Sequence, residues 1–289
     1  MLTISNQIKT KMPAYMTGCI MQQYYGAEDG ARHTAENGYT HWYIDGSNYD
    51  DIPSKWDNAR TENMCNLMQE LDVQAVYHGN FKNPLASDVP DIRKAALSYL
   101  KSEIDLCEKF TAPLIIHGGA IVEPRSVKEA MSVALDGFVE VMQEASAYAT
   151  DKGVELWLEN LSNYQAFHPF YYTFTNIDHY RYVLPQIPNA KMIFDVCHET
   201  VGGGDPLAVF EELSDSIAAF SFSDTDGKRD SHWPMGEGNV DFDGLTRLII
   251  ENEWKGVVAF ETRGAKPNEN IDYVSTLYEK HRNPQALAS

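Results

Sequence analysis

Five short apolar runs in this sequence end on a side chain that can bind a divalent metal. They are Val76-Tyr77-His78, Ile115-Ile116-His117, Trp157-Leu158-Glu159, Ile193-Phe194-Asp195 and Ala259-Phe260-Glu261. His198 follows Asp195 by three residues, and Asp230 and His232 sit one residue apart in the segment Asp224-Thr-Asp-Gly-Lys-Arg-Asp-Ser-His232. Imidazole nitrogen together with carboxylate oxygen suits Zn, Mn, Co or Fe, whereas an all-oxygen set suits Mg or Ca. The expected cofactor is therefore a divalent metal, Mn or Zn first, with the number of ions open. Taken alone, a histidine at the end of an apolar run is an ordinary satisfied polar group. Three carboxylates brought to one apolar mouth are different, because burying them without a cation or strong partners is costly.

Such residues meet only if the runs are parallel strands that open on one face. Runs that read as buried strands recur from Tyr15 to Ile20, His41 to Asp45, Val73 to His78, Pro113 to His117, Val154 to Glu159, Lys191 to Asp195, Ile217 to Ser223 and Val257 to Glu261. Each is followed by a segment of helical periodicity, the mark of βαβ units. Met131, Leu135, Phe138, Met142 and Ala145 recur at three- and four-residue steps, as do Leu97, Leu100, Ile104 and Cys107, and core packing explains both stripes. Ser126-Val-Lys-Glu129 reads as a capping box that starts a helix, and Asn37-Gly38 and Lys152-Gly153 read as helix ends with glycine in the left-handed position. Eight such units predict an α/β fold, a single (β/α)8 TIM barrel spanning residues 1–289 as one domain. In that fold every strand delivers its C-terminal residue to the same face.

The loops around this face supply the remaining candidates. Arg229 lies in the segment that carries Asp230 and His232. His168, in the aromatic stretch from Asn163 to Thr175, is a candidate to face substrate from a lid or pocket wall. His33, His41, His179 and His281 read as surface residues. The run Gly202-Gly203-Gly204 lacks the framing of a phosphate-binding loop and reads as a flexible turn, with a phosphate or substrate loop as the alternative.

With 42 acidic and 23 basic residues the formal net charge is −19, which repels nucleic-acid phosphates and anionic membranes. Four cysteines without a CxxC pair read as reduced thiols, and neither a signal peptide nor an apolar run of about 18 residues is found. A cytoplasmic location is expected. Neither nucleic acid nor membrane is the expected partner, and no apolar stripe predicts an oligomeric state.

These strand-end motifs, in this order, resemble the xylose isomerase-like TIM barrel superfamily of sugar (and sugar phosphate) isomerases and epimerases and endonuclease IV-like abasic-site nucleases. The most specific piece is the Asp230/His232 pair followed by Gly236-Glu-Gly238, supported by Asp195-Val-Cys-His198 and Leu158-Glu-Asn160. For the epimerase branch the resemblance implies a small sugar or polyol as partner and a metal held by Glu159, Asp195 and Glu261, with Glu159 and Glu261 also moving the proton through an enediolate and His78, His117, His198 and Arg229 orienting substrate hydroxyls. For the nuclease branch it implies zinc at His78, His117 and Glu159, at Glu159, Asp195 and Glu261, and at His198, Asp230 and His232. Both branches carry a histidine three residues before the aspartate matching Asp224, where this chain has Ser221. A water or a neighbour such as His198 would fill that place, or metal would bind at the flanking sets only. The same departure motivates a third reading, a catalytically degenerate sugar-binding subunit, and keto-sugar or cyclitol dehydration is a neighbouring chemistry that shares the enediolate.

Overall fold

The computed structural model describes residues 16–20, 25–121, 125–163 and 170–282. Eight parallel strands close into a barrel: β1 (Met16–Ile20), β2 (His41–Asp45), β3 (Gln74–His78), β4 (Leu114–His117), β5 (Leu156–Glu159), β6 (Ala190–Asp195), β7 (Ile217–Phe222) and β8 (Gly256–Phe260). Each pairs with its neighbours in sequence, and β8 closes on β1 through Gly18↔Val258 and the flanking pairs. The expected TIM barrel is thus the observed one, and every strand lies within two residues of its predicted bounds. Tyr15 and the side chains of β1 fall outside the described residues.

Around the barrel run α1 (Ala27–Glu36), α2 (Asn58–Leu71), α3 (Pro90–Phe110), α4 (Val127–Lys152), α5 (Ile177–Val183), α6 (Val196–Val201), α7 (Pro206–Leu213), α8 (Phe242–Glu251) and α9 (Pro267–Arg282). The two predicted stripes face the barrel: Leu100, Ile104 and Cys107 on α3, and Phe138, Met142 and Ala145 on α4, are almost wholly buried. α4 starts where predicted, but the Ser126 side chain makes no capping hydrogen bond, because its backbone (φ −119°, ψ 51°) departs from the extended form that aims a capping oxygen at the helix. Gly38 and Gly153 take the left-handed conformations (φ 75° and 68°) that end α1 and α4.

Apolar side chains pack in two places. Most fill the space between strands and helices, and a smaller set of Tyr43, Val76, Ile115, Trp157, Ile193, Ala219 and Ala259 fills the barrel itself. Because side chains alternate along a strand, the next inward residue lies two positions further on. Those residues are Asp45, His78, His117, Glu159, Asp195, Ser221 and Glu261. A single layer of polar groups therefore caps an apolar plug at the C-terminal mouth.

None of the four histidines read as surface is fully exposed: His33 and His281 are half-buried, and His41 and His179 have definite places in the fold. His41 begins β2 at the opposite end of the barrel and is only 8% exposed, and His179 is half-buried on α5, where its Nδ1 accepts from the Thr175 N–H at 3.2 Å. Gly204 packs so closely on Glu199 that an added Cβ would fall 1.9 Å from its Oε1, which makes the glycine run a packed turn after α6. Cys107 and Cys197 are buried free thiols and Cys65 is a half-buried one. Among the described residues no helix is long and apolar enough to cross a membrane.

Candidate metal and substrate site

Glu159 is the hub of the polar layer. The Nε2 atoms of His117 and His78 stand 3.2 and 3.7 Å from its Oε2, and His198 Nδ1 stands 3.6 Å from its Oε1. Glu159 Oε2 nonetheless has no hydrogen-bond donor. Ligand atoms about 2.0–2.2 Å from one ion lie about 3–3.5 Å apart without pointing at each other, and His78, His117 and Glu159 have that character. Asp195 Oδ2, Glu261 Oε1 and the Nδ1 atoms of His78 and His117 are likewise buried and unpartnered. A divalent ion fits this donor set, since it satisfies buried carboxylate oxygens that the protein leaves without hydrogen-bond donors.

Two groups of three place their ligand atoms within 4.8 Å of one another among the described residues: His78, His117 and Glu159, and Glu159, Asp195 and His198. The second is limited by local chemistry. His198 Nδ1 is 2.8 Å from the Asn160 carbonyl oxygen, a contact that requires the proton on Nδ1 and leaves Nε2 as the free ligand nitrogen. That Nε2 faces Asp230, 3.5 Å from its Oδ2. His232 repeats the arrangement: Nδ1 donates to the Glu261 carbonyl oxygen at 2.8 Å, and Nε2 stands 3.2 Å from Asp230. The two imidazoles are therefore set in one tautomer with Nε2 atoms converging on a shared carboxylate. Glu261 stands outside both compact groups, its Oε2 3.9 Å from His232 Nδ1.

Short helices and turns set these orientations. Asp195 caps α6 by accepting the His198 N–H on Oδ1 at 2.7 Å, which leaves Oδ2 to face the mouth. Asp224, fully buried, accepts the N–H groups of Thr225, Gly236, Gly238 and Val240, so the loop from 224 to 240 is wrapped around one carboxylate. Gly238 has no alternative there, since a Cβ would meet Thr225 O at 2.3 Å and Asp224 Oδ1 at 2.4 Å. His232 occupies left-handed backbone (φ 49°), unusual for a side-chain-bearing residue, and so turns its ring back to Asp230.

The carboxylates and imidazoles shift one another. Burial opposes ionisation of Glu159, but His117, His78 and His198 outweigh it and hold its pKa at about 2. Glu261 is pushed up to about 7 by burial and by the charges of Glu159 and Asp195. Burial disfavours charge on His78, yet Asp45, Glu159 and Glu261 raise it to about 9. His198 is likewise raised, by Asp195 and Asp230 against burial, and Asp230 is lowered against burial by His198 and His232. His117 is lowered by burial, which Glu159 only partly offsets. Protonated imidazoles thus neutralise the acids in the metal-free protein, and a cation would take over that role and release their protons.

A cavity of about 460 Å³ opens above this layer, a size ordinary for small-molecule sites. It is lined by His78, His117, Glu159, His198, Asp230, His232 and Glu261 and, at its rim, by Asp45, Phe81, Tyr172 and Arg263. Asp195 lies just beneath. A wider cleft of about 690 Å³ lies outside the barrel between α4 and α5 and holds none of the strand-end groups. Arg229 does not reach the cavity: the loop curls as Asp226 Oδ1 accepts the N–H groups of Lys228 and Arg229, and the Arg229 side chain is 77% exposed beside Asp226. Arg263, two residues past Glu261, lines the cavity instead. His168 lies outside the described residues. Asp45 was not anticipated, although it ends β2 as His78 ends β3; its Oδ1 is 3.6 Å from His78 Nδ1, where it orients that ring. Ser221 joins the layer as a fully buried hydroxyl without a partner.

Residues 31–279 match the xylose isomerase-like TIM barrel family. Fructoselysine 3-epimerase from Shigella flexneri is 24% identical over 197 residues, covering 66% of this chain and 67% of that one. A probable endonuclease 4 from Mycoplasma pneumoniae is 27% identical over 210 residues, covering 67% and 69%. Among solved structures, a D-tagatose 3-epimerase-like protein superposes with a TM-score of 0.77 at 19% identity, over 94% of this chain and all of that one.

Proposed function

The chain belongs to the xylose isomerase-like TIM barrel family, and from that premise we propose that it is a metal-dependent isomerase or epimerase of a small sugar or polyol derivative. The observation that carries the reading is the placement of Glu159 and Glu261. Both are buried at the mouth, Glu159 ending β5 and Glu261 directly following β8, with β6 and β7 between them around the ring. They therefore approach a bound substrate from different sides. Their environments also push them apart, Glu159 toward the carboxylate and Glu261 toward the acid.

In this reading Glu159, Asp195 and Glu261, with His78, His117, His198, Asp230 and His232 around them, form the ligand set for Mn or Zn. The ion would supply positive charge beside a ketose carbonyl oxygen. One glutamate takes the proton from the carbon next to the carbonyl, the C–H electrons move into the carbonyl, and an enediolate forms. The other glutamate returns a proton to the opposite face of that carbon, which inverts it, or to the neighbouring carbon, which isomerises the sugar. His78, His117 and His198 orient hydroxyls, and the apolar plug of Tyr43, Ile115 and Trp157 keeps water from reaching the site from below. The similarity to fructoselysine 3-epimerase supports this reading. The similarity to a probable endonuclease 4 favours phosphodiester cleavage instead, but a net charge of −19 and a cavity lined by one arginine suit a sugar better than a DNA backbone.

The test is deuterium exchange followed by NMR. The Mn- or Zn-loaded protein, incubated with a ketose panel in D2O, is expected to place deuterium on the carbon beside the carbonyl of at least one sugar, and Glu159→Gln and Glu261→Gln are expected to abolish it. No incorporation into any ketose by the folded, metal-loaded protein contradicts proton-transfer chemistry. Cleavage of an abasic duplex would establish the nuclease, and sugar binding without exchange would mark a degenerate binding subunit.

A further inference from the structure

Tyr172 is held over the candidate site by unusually constrained backbone. It pairs with Ala120 in a two-stranded antiparallel ribbon formed by Ala120–Ile121 and Tyr171–Tyr172, so the loop after β5 is stitched to the loop after β4. Asn163 grips the same residue as a neighbouring strand would: its Oδ1 accepts the Tyr172 N–H at 2.7 Å, and its Nδ2 donates to the Tyr172 carbonyl at 2.8 Å. On the next residue, the Thr173 N–H donates to the carbonyl of Gly119, two positions past His117.

The side chain delivered by this clamp lines the cavity. Among the described residues its hydroxyl has no hydrogen-bond partner, and it stands in the field of both His198 and Asp230. Its ring packs edge-on against Phe170 at 5.5 Å between centroids. Phe81, 48% exposed, stands at the same rim with its ring against His117. A sugar presents hydroxyls at its edges and C–H groups on its faces, and a fixed tyrosine with a free hydroxyl beside a second aromatic ring complements both.

We infer that Tyr172 is a substrate-binding residue: its hydroxyl donates to a hydroxyl of a ketose held in the barrel mouth, its ring covers a C–H face of that sugar, and Asn163 is the positioning residue that fixes it. The inference rests on the ketose reading above and names a contact of that same site.

Tyr172→Phe in the metal-loaded protein separates the hydrogen bond from the wall. With the ketose of a C5 and C6 panel that wild type exchanges fastest, KM is expected to rise about 5- to 10-fold, the loss of one hydrogen bond. Metal content and kcat should hold within about twofold. Asn163→Ala, which leaves the phenol in place but frees its backbone, is expected to raise KM in the same direction. An unchanged KM in Tyr172→Phe overturns the inference and leaves the ketose reading standing. If wild type neither binds nor exchanges any ketose of the panel, the reading and the inference fall together.

Discussion

Asn160 and Asp195 are joined by a two-point bridge across the tops of β5 and β6. The asparagine Nδ2 donates to the Asp195 carbonyl at 2.9 Å, and its Oδ1 accepts the Asp195 N–H at 2.7 Å. The Asn160 carbonyl then accepts from His198 Nδ1 at 2.8 Å. One wholly buried residue next to Glu159 thus fixes the backbone of one candidate ligand and the tautomer of another. Hydrogen bonds behind a metal centre of this kind set ligand orientation.

Asn160→Leu keeps the volume and removes both side-chain bonds. We expect Mn and Zn affinity to fall about 10- to 100-fold and stability to drop by about 2–4 kcal/mol, since the Asp195 N–H and C=O lose their partners. Competition against a chromophoric chelator measures the first, and denaturant unfolding in chelator measures the second. An unchanged affinity contradicts the role assigned to the bridge.

Much of this site was legible because parallel strands with two-residue alternation leave a regular trace. An inward apolar residue is followed two positions later by a polar one in Val76/His78, Ile115/His117, Trp157/Glu159, Ile193/Asp195 and Ala259/Glu261. Tyr43/Asp45 carries the same signal. Loop side chains leave no such trace. Arg229 turns outward because Asp226 captures the backbone of its own loop, and Arg263 lines the cavity because the chain past Glu261 is tied back by its N–H to the His232 carbonyl. Neither outcome depends on spacing. His41 reads as polar surface by type, yet it starts a strand whose neighbours cover it.

Glu103, on α3, is 2% exposed and accepts the Asn80 N–H at 2.8 Å behind the loop that follows His78. Burial pushes its pKa up to about 8, against the pull of the Asn80 N–H and His78. Between an unfolded value near 4.5 and the folded value near 8 the native state holds a proton that the unfolded state has lost. Stability contributed by this group is therefore complete below the lower value and lost as pH rises toward the upper one. Glu103→Gln removes that dependence. In chelator, the Tm of the variant relative to wild type should climb from pH 4.5 to 8, by several degrees, and then level off. Parallel Tm curves across that range contradict the assignment of a buried neutral acid.

Asp224, itself fully buried, satisfies four backbone N–H groups, so Asp224→Ala should cost about 2–4 kcal/mol. Gly238→Ala, whose Cβ would strike the same carboxylate, should act in the same direction. Because this loop carries Asp230 and His232, both variants are also expected to weaken metal binding. Wild-type thermal stability in Asp224→Ala contradicts the view that one carboxylate organises the segment.

The claim on which the functional reading turns is that these strand-end groups form a divalent metal centre, and anomalous diffraction from crystals soaked separately in Mn and Zn tests it most directly. At least one peak is expected about 2.0–2.2 Å from Glu159 Oε2 and the Nε2 atoms of His78 or His117, and it should vanish in Glu159→Gln. No peak among His78, His117, Glu159, Asp195, His198, Asp230, His232 and Glu261 in either soak contradicts the metal centre and the chemistry built on it.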